Sequence, residues 1–313
     1  MRPILLADIG ATNSRFAIAG EGGRPERMVK FRGDEVPSFE AAIARYLDET
    51  GARPQAAVVA IAAPVEGDAV TMTNRAWSFR PSEIAARFGW RAIRAVNDFE
   101  AVAWALPRLA PRDTRPLGPA LPATQGPRVV FGPGTGLGVA GLVPCASGWQ
   151  VIPTEGGHVA FGPAHDDEEE IFARMRAKRG AVSTETVLCG PGLERLYRAM
   201  HGDDANASAA DIVAGSHAGD ARARATVKLF VRLFGRFAGD LALMFRATGG
   251  VYVAGGVARR LGAFLDEPAF RAAFENHPPY MHLLRAIPTT LITFDEPGLL
   301  GCAALAEELM PGG

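Results

Sequence analysis

Two stretches of this chain share one plan. "LADIGATNSRFAI", from Leu6, and "RVVFGPGTGLGVAGLV", from Arg128, each read as a strand, a tip of glycine and small polar residues, and a second strand. An antiparallel pair closed by such a tip starts a sheet whose turn backbone is open to a ligand. A chain that carries one in each half is directed towards two sheets rather than one. The two stretches share little sequence identity, so the reading is a repeated motif rather than a demonstrated duplication. The length agrees: 313 residues are more than one compact core usually organises, and two domains are expected.

Between and after the hairpins the pattern is α/β. The first hairpin has its tip at residues 8–13, and residues 26–31 form a third strand. Ser38 caps a helix over residues 39–49, with Glu40 in its first turn. Residues 56–62 and 69–74 are strands, and residues 81–89 form a helix opened by Pro81 and closed by Gly89. In "AIRAVNDFEAVAWAL" (92–106) a strand gives way to a helix at Asn97 and Asp98. Antiparallel strands followed by alternating helices and strands indicate a mixed sheet. Prolines 107, 111, 116, 119, 122 and 127 then crowd a connecting loop without periodicity, the best domain boundary. Helices follow over residues 166–180, 191–200 and 221–247. "GGVYVAGGVARRLGAFL" is strand, glycine turn and helix, residues 286–294 are a strand, and a last helix follows "EPGLLG".

Composition removes several classes of function. The net charge of −1 offers no electrostatic case for nucleic acid or an anionic membrane. No apolar run reaches membrane-spanning length, and Met1-Arg2-Pro3 leads into a short strand rather than a signal peptide. Cys145, Cys189 and Cys302 are scattered, with neither disulfide nor zinc spacing, which suits a reducing cytoplasm. The three lysines, Lys30, Lys178 and Lys228, lie outside the glycine-rich stretches, so a lysine-based phosphate loop is excluded.

The chemistry-bearing residues sit at the strand ends. Asp8, Gly10, Thr12 and Asn13 occupy the first tip. Backbone N–H groups and a hydroxyl there suit phosphate, and an aspartate beside phosphate calls for Mg²⁺, held through a water. "FGPGTGLG" places Gly134, Thr135 and Gly136 at the second tip; because it joins two strands, it is not a dinucleotide fingerprint. Two such tips could grip a polyphosphate from two sides. Gly255 and Gly256, at a strand-to-helix junction, would let a base and ribose lie against the backbone. The acidic head of residues 166–170, with cations at the other end of that helix, reads as dipole compensation rather than a metal site.

Taken in order, the Asp-x-Gly-x-Thr-Asn hairpin, the Asn97-Asp98 strand end, the Gly-x-Gly-Thr-Gly-x-Gly hairpin, "TEGGHVAF" and the late Gly-Gly turn closely resemble the bacterial glucokinases outside the ROK family, within the actin/hexokinase-like ATPase superfamily. "MTNRAWSF", "CGPGLERLYRAM" and "EPGLLG" extend the resemblance from Leu6 to about Leu305. It implies two RNase-H-like α/β domains with mixed sheets flanking a deep cleft. The small domain would be residues 1–107 plus 297–313, and the large one residues 108–296. It implies Asp98 as the catalytic base at the sugar 6-hydroxyl, with Asn97 on neighbouring hydroxyls. Glu155, His158 and Glu185 would hold the anomeric end of glucose. Asp8 and Thr12 match the first phosphate loop, and Gly134, Thr135 and Gly136 the second, for ATP and Mg²⁺.

These residue types suit a neutral sugar independently, because carboxylates, an amide and an imidazole satisfy hydroxyls that both donate and accept. Ala11, where the family commonly has glycine, and Pro133, which lacks a donor, depart from the pattern. Two other readings share the fold. A silent sugar-binding regulator would carry a helix-turn-helix segment, for which no room is expected before the first strand. A kinase for mannose or fructose is the second. A homodimer is the family expectation, and "GPAHDDEEE", without cysteine, gives no reason to expect structural zinc.

Overall fold

Alternation along the first strand creates two buried faces. In the computed structural model, which describes residues 3–33, 35–65, 67–72 and 77–309, β1 (Ile4–Ile9) sends Leu5, Ala7 and Ile9 into one apolar cluster and Ile4 and Leu6 into another. The structure divides into two compact units, Met1–Ala110 with Phe294–Gly313, and Pro111–Thr293.

In the first unit β1 pairs antiparallel with β2 (Asn13–Ala19), and β2 with β3 (Pro25–Arg32). Helix α1 (Phe39–Thr50) follows, its Ser38 side chain accepting the Ala41 N–H. β4 (Ala56–Ile61) joins β1 in parallel, a short pair forms from β5 (Val70–Thr71) and β6 (Ser78–Phe79), and α2 (Pro81–Phe88) leads to β7 (Ala92–Asn97), parallel to β4. The sheet order is β3-β2-β1-β4-β7. Phe16, Phe39 and Tyr46 stack on one face. The other is covered by α3 (Asp98–Ala105) and the last helix, Pro297–Glu308, which carries Leu299, Cys302 and Leu305 inward. A Cβ on Gly301 would land on the Ala101 carbonyl, so a glycine is what lets these two helices touch.

The second unit repeats the arrangement. β8 (Thr114–Pro116) is followed by the meander β9 (Arg128–Pro133), β10 (Leu137–Cys145) and β11 (Gly148–Thr154), antiparallel throughout. Helices α4 (Asp166–Arg179), α5 (Thr184–Val187), α6 (Gly190–His201), α7 (Ala209–Ala218) and α8 (Ala221–Met244) come next. β12 (Val251–Val253) adds in parallel to β9, then α9 (Gly256–Arg260), α10 (Gly262–Leu265), α11 (Pro268–Glu275), α12 (Met281–Arg285) and β13 (Thr289–Ile292). The order is β11-β10-β9-β12-β13-β8. An antiparallel meander continued by parallel strands is therefore the plan of both sheets. The long helix α8 supplies the core, with Phe234 and Phe237 set 4.6 and 5.7 Å from Phe131.

Several sequence expectations change. Asp8 lies within β1, paired with Arg15, and Asn13 opens β2, so the first turn is narrower than residues 8–13. The proline-rich loop contains the short edge strand β8, bonded to β13. The strand over residues 69–74 shrinks to β5, and residues 73–76 of "MTNRAWSF" lie outside the described residues. "EPGLLG" is the first turn of the last helix rather than its prelude, because Pro297 suits a first helical position.

Candidate active site

Asp8 is the one carboxylate of the first hairpin. Its side chain is 18% exposed, and Arg15 stands 3.8 Å away while holding Glu296 at 2.6 Å. Burial raises the Asp8 pKa to about 6; the Arg15 guanidinium opposes this and the Glu296 carboxylate adds to it. The last helix begins directly over the carboxylate, where a Cβ on Gly298 would stand 3.1 Å from Asp8. Beyond it, burial and then the Asp8 charge push the Cys302 thiol well above its usual range, so this cysteine packs rather than reacts. The turn is held by the Gly10 N–H donating to Asn13 O at 3.0 Å and by the Gly33 N–H donating to Thr12 O at 2.8 Å. The Thr12 side chain remains exposed.

At the end of β7 the polar pair divides its work. Asn97 Oδ1 caps α3, accepting from Phe99 N at 2.9 Å and Glu100 N at 3.4 Å, and its Nδ2 donates to Ala63 O at 3.3 Å. Asn97 thus builds the junction, and little of its amide is left for a ligand. Asp98 is the first residue of α3, half-buried, with Phe99 N donating to its Oδ1 at 2.9 Å. A strand end and a helix start fix its backbone from both sides, and the helix dipole favours a carboxylate there.

The second hairpin is organised differently. Its tip is closed by Gly134 N–H to Gly136 O at 2.8 Å, and Gly190 N, at the start of α6, donates to Gly134 O at 2.9 Å. Gly134 and Thr135 are exposed. No carboxylate belongs to the tip, yet Glu185 of α5 reaches it and accepts the Leu137 N–H at 2.8 Å. A Cβ on Gly136 would land on that carboxylate. Gly255 adopts φ +95°, and a Cβ there would stand 2.6 Å from Pro133 O, so β9 and the start of α9 meet only through glycine. Gly256 has open space around it.

Beside this tip, residues 155–158 form a single helical turn. Glu155 and His158 are 67% and 61% exposed, with the imidazole 3.9 Å from the carboxylate. The turn is pinned from below by the buried Thr184, whose hydroxyl donates to Gly157 O at 2.6 Å and whose N–H donates to Val159 O at 3.0 Å. A Ser183–Thr186 capping box starts α5, so Glu185 is not the cap and its carboxylate is free to turn to the loop.

The glucokinase family pattern matches residues 5–309. The chain belongs to the glucokinase family. Curated glucokinases of Chelativorans sp. and Agrobacterium fabrum are 42% and 40% identical to it, each over 97% of this chain and over 91% and 92% of their own. A solved glucokinase from an Antarctic psychrotroph superposes with a TM-score of 0.88 at 32% identity, covering 98% of this chain and 99% of that one. The mixed α/β architecture is that of the glucokinase and hexokinase structures.

Within this glucokinase chain the predicted residues fall into two groups. Asp8, Gly10, Thr12, Asn13, Asn97 and Asp98 belong to the first unit, where β1 and β7 flank β4. In the second unit Gly134, Thr135, Gly136 and Glu185 form one bonded cluster. The Glu155–His158 turn is tied to it through Thr184, and Gly255 is packed on Pro133. Sequence reasoning missed Arg15, Glu296 and Thr184. Only Thr184 had a local signal, inside the S-x-x-T capping pattern. The acidic head of α4 is more than dipole compensation. Glu168 is fully buried between Arg232 at 3.0 Å and Arg236 at 2.9 Å. Among the described residues no cluster of three or more His, Cys, Asp or Glu is placed to hold a metal.

Proposed function

We propose that this chain transfers the γ-phosphoryl group of ATP to the 6-hydroxyl of glucose, giving glucose 6-phosphate and ADP, the first step of glycolysis. The observation that carries it is Asp98, a half-buried carboxylate fixed at the start of α3 by the Asn97 cap. Asp98 accepts the hydroxyl proton as the oxygen attacks in line. Asn97 presents its remaining N–H to a neighbouring hydroxyl. Glu155, His158 and the second oxygen of Glu185 hold the anomeric end, where a carboxylate and an imidazole serve hydroxyls of either polarity.

The exposed Thr12 and Thr135 donate to the phosphates, Gly10, Asn13, Gly134 and Gly136 shape the turns that present them, and Gly255 and Gly256 lie along the base and ribose. Mg²⁺ keeps most of its waters and takes few protein carboxylates, so Asp8, one largely buried carboxylate, fits it through a coordinated water. When bound, the ion neutralises charge on the transferring phosphates. No helix among the described residues is long and apolar enough to cross a membrane; a cytoplasmic setting follows from the family resemblance. A homodimer follows from the family resemblance.

The test is Asp98→Asn in a coupled assay with ATP, Mg²⁺ and glucose. General-base loss lowers kcat by about 10²–10⁴-fold, while calorimetry still detects glucose binding. Near-normal turnover would remove Asp98 from the role, and no turnover of glucose by the unaltered chain would remove the function.

A further inference from the structure

One cavity is lined by none of the residues assigned above. It has a volume of about 720 Å³, sits within the second unit between α4 and α6, and is lined by Arg174, Lys178, Arg179, Arg195, Arg198 and Asp203 among small and apolar residues. A cation or two at a helix C-terminus is ordinary dipole compensation. Five around one cavity exceed that need, and Asp203 is the one acid of the lining, which leaves four positive charges in excess on a chain whose net charge is −1.

The neighbours cancel two of the five cations and leave three. Lys178 pairs with Asp203, and Arg174 bonds Glu170 at 2.5 Å. Among the described residues Arg179, Arg195 and Arg198 form no ion pair. Arg195 Nη1 donates to the Thr186 carbonyl at 2.9 Å, and Arg198 Nε to the Glu194 carbonyl at 3.4 Å; carbonyls orient a guanidinium without neutralising it. Arg195 is the least exposed of the five. Concentrated like charge around a concave site costs stability unless a counter-charge arrives.

We propose that this cavity binds a small molecule bearing two or more phosphoryl groups. The volume lies in the range of small-ligand sites. Guanidinium forks match phosphoryl oxygens in pairs, and several forks at different angles suit several phosphoryl groups rather than one carboxylate. A short polyphosphate chain and a bisphosphorylated metabolite share this chemistry.

Isothermal titration of the full chain with sodium tripolyphosphate and, separately, with fructose 1,6-bisphosphate tests it. The cavity takes at least one of the two probes, and which one it takes identifies the source. Arg179→Ser/Arg198→Ser weakens that binding by about tenfold or more and leaves KM for ATP and glucose unchanged, which separates the cavity from the nucleotide loops. Asp203→Asn removes the lone acid and tightens binding by about threefold, from Coulomb attraction at a partly exposed site; this variant decides the matter if the double variant does not fold. No binding of either probe, equal binding in the double variant, or weaker binding in Asp203→Asn would overturn the assignment.

Discussion

The two glycine-tipped hairpins begin from the same strand plan and acquire their carboxylates in different ways. The β1–β2 hairpin contains its own carboxylate, held inside a strand where burial raises the Asp8 pKa to about 6. The β9–β10 hairpin has none and borrows one, because Glu185 arrives from a separate helix to accept the Leu137 N–H. A built-in buried charge is costly in the empty protein and useful once a cation is present. A borrowed charge is tied to the loop through a side chain from another helix rather than through the strand itself. Shared topology thus fixes where backbone donors point, and residues from elsewhere decide what charge they meet.

The largest test of this contrast is Asp8→Asn. In the unfolded chain Asp8 titrates near the ordinary 3.8, and in the native state near 6. Between those values the native state holds a proton that the unfolded state has released, so stability falls as pH rises through the window and is flat above it. With EDTA present, Asp8→Asn raises stability above pH 6 by about 3 kcal/mol, a gain that fades as pH drops towards 4; thermal melts across pH read it. The same variant loses about 10–100-fold in activity at limiting Mg²⁺. A flat difference between the two proteins would deny the strain in the first hairpin.

Gly136→Ala probes the second. The new methyl displaces Glu185 and orphans the Leu137 N–H, at a cost of about 1–3 kcal/mol seen in urea midpoints, with a raised KM for ATP. An unchanged midpoint would mean that the borrowed carboxylate is dispensable. Smallest is Glu185→Gln, which keeps the shape and removes the charge from one hydrogen bond, a loss of about 1 kcal/mol by the same measurement.

Much of this was legible in advance for definable reasons. Strands β1, β4 and β9 are buried along nearly their whole length and read as apolar runs. Ser38 and Gly89 announced the ends of α1 and α2. β11 was not legible, because it is mostly exposed and lacks alternation. α7 was missed because "AADIVAGSHA" lacks a clear apolar face. At the candidate site, Asp98 stood out as a polar break in an apolar stretch. Arg15 and Glu296 meet across nearly the whole chain, and no local pattern records such a pairing. The resemblance says nothing of a capping role for Asn97, yet its amide oxygen accepts the Phe99 N–H.

The last helix has a consequence for the order of synthesis. Ile4, Leu6, Val58, Ala60 and Val96 form one face of the first sheet, and Leu299, Cys302, Ala303 and Leu305 complete their cluster. That face, with α3 alone upon it, therefore stays incompletely covered on the ribosome until translation has passed residue 305, whereas the second unit, contiguous from Pro111 to Thr293, can settle earlier. The part made first finishes folding last, and a nascent chain stalled shortly before Pro297 would present an apolar sheet to whatever chaperone stands at the exit tunnel.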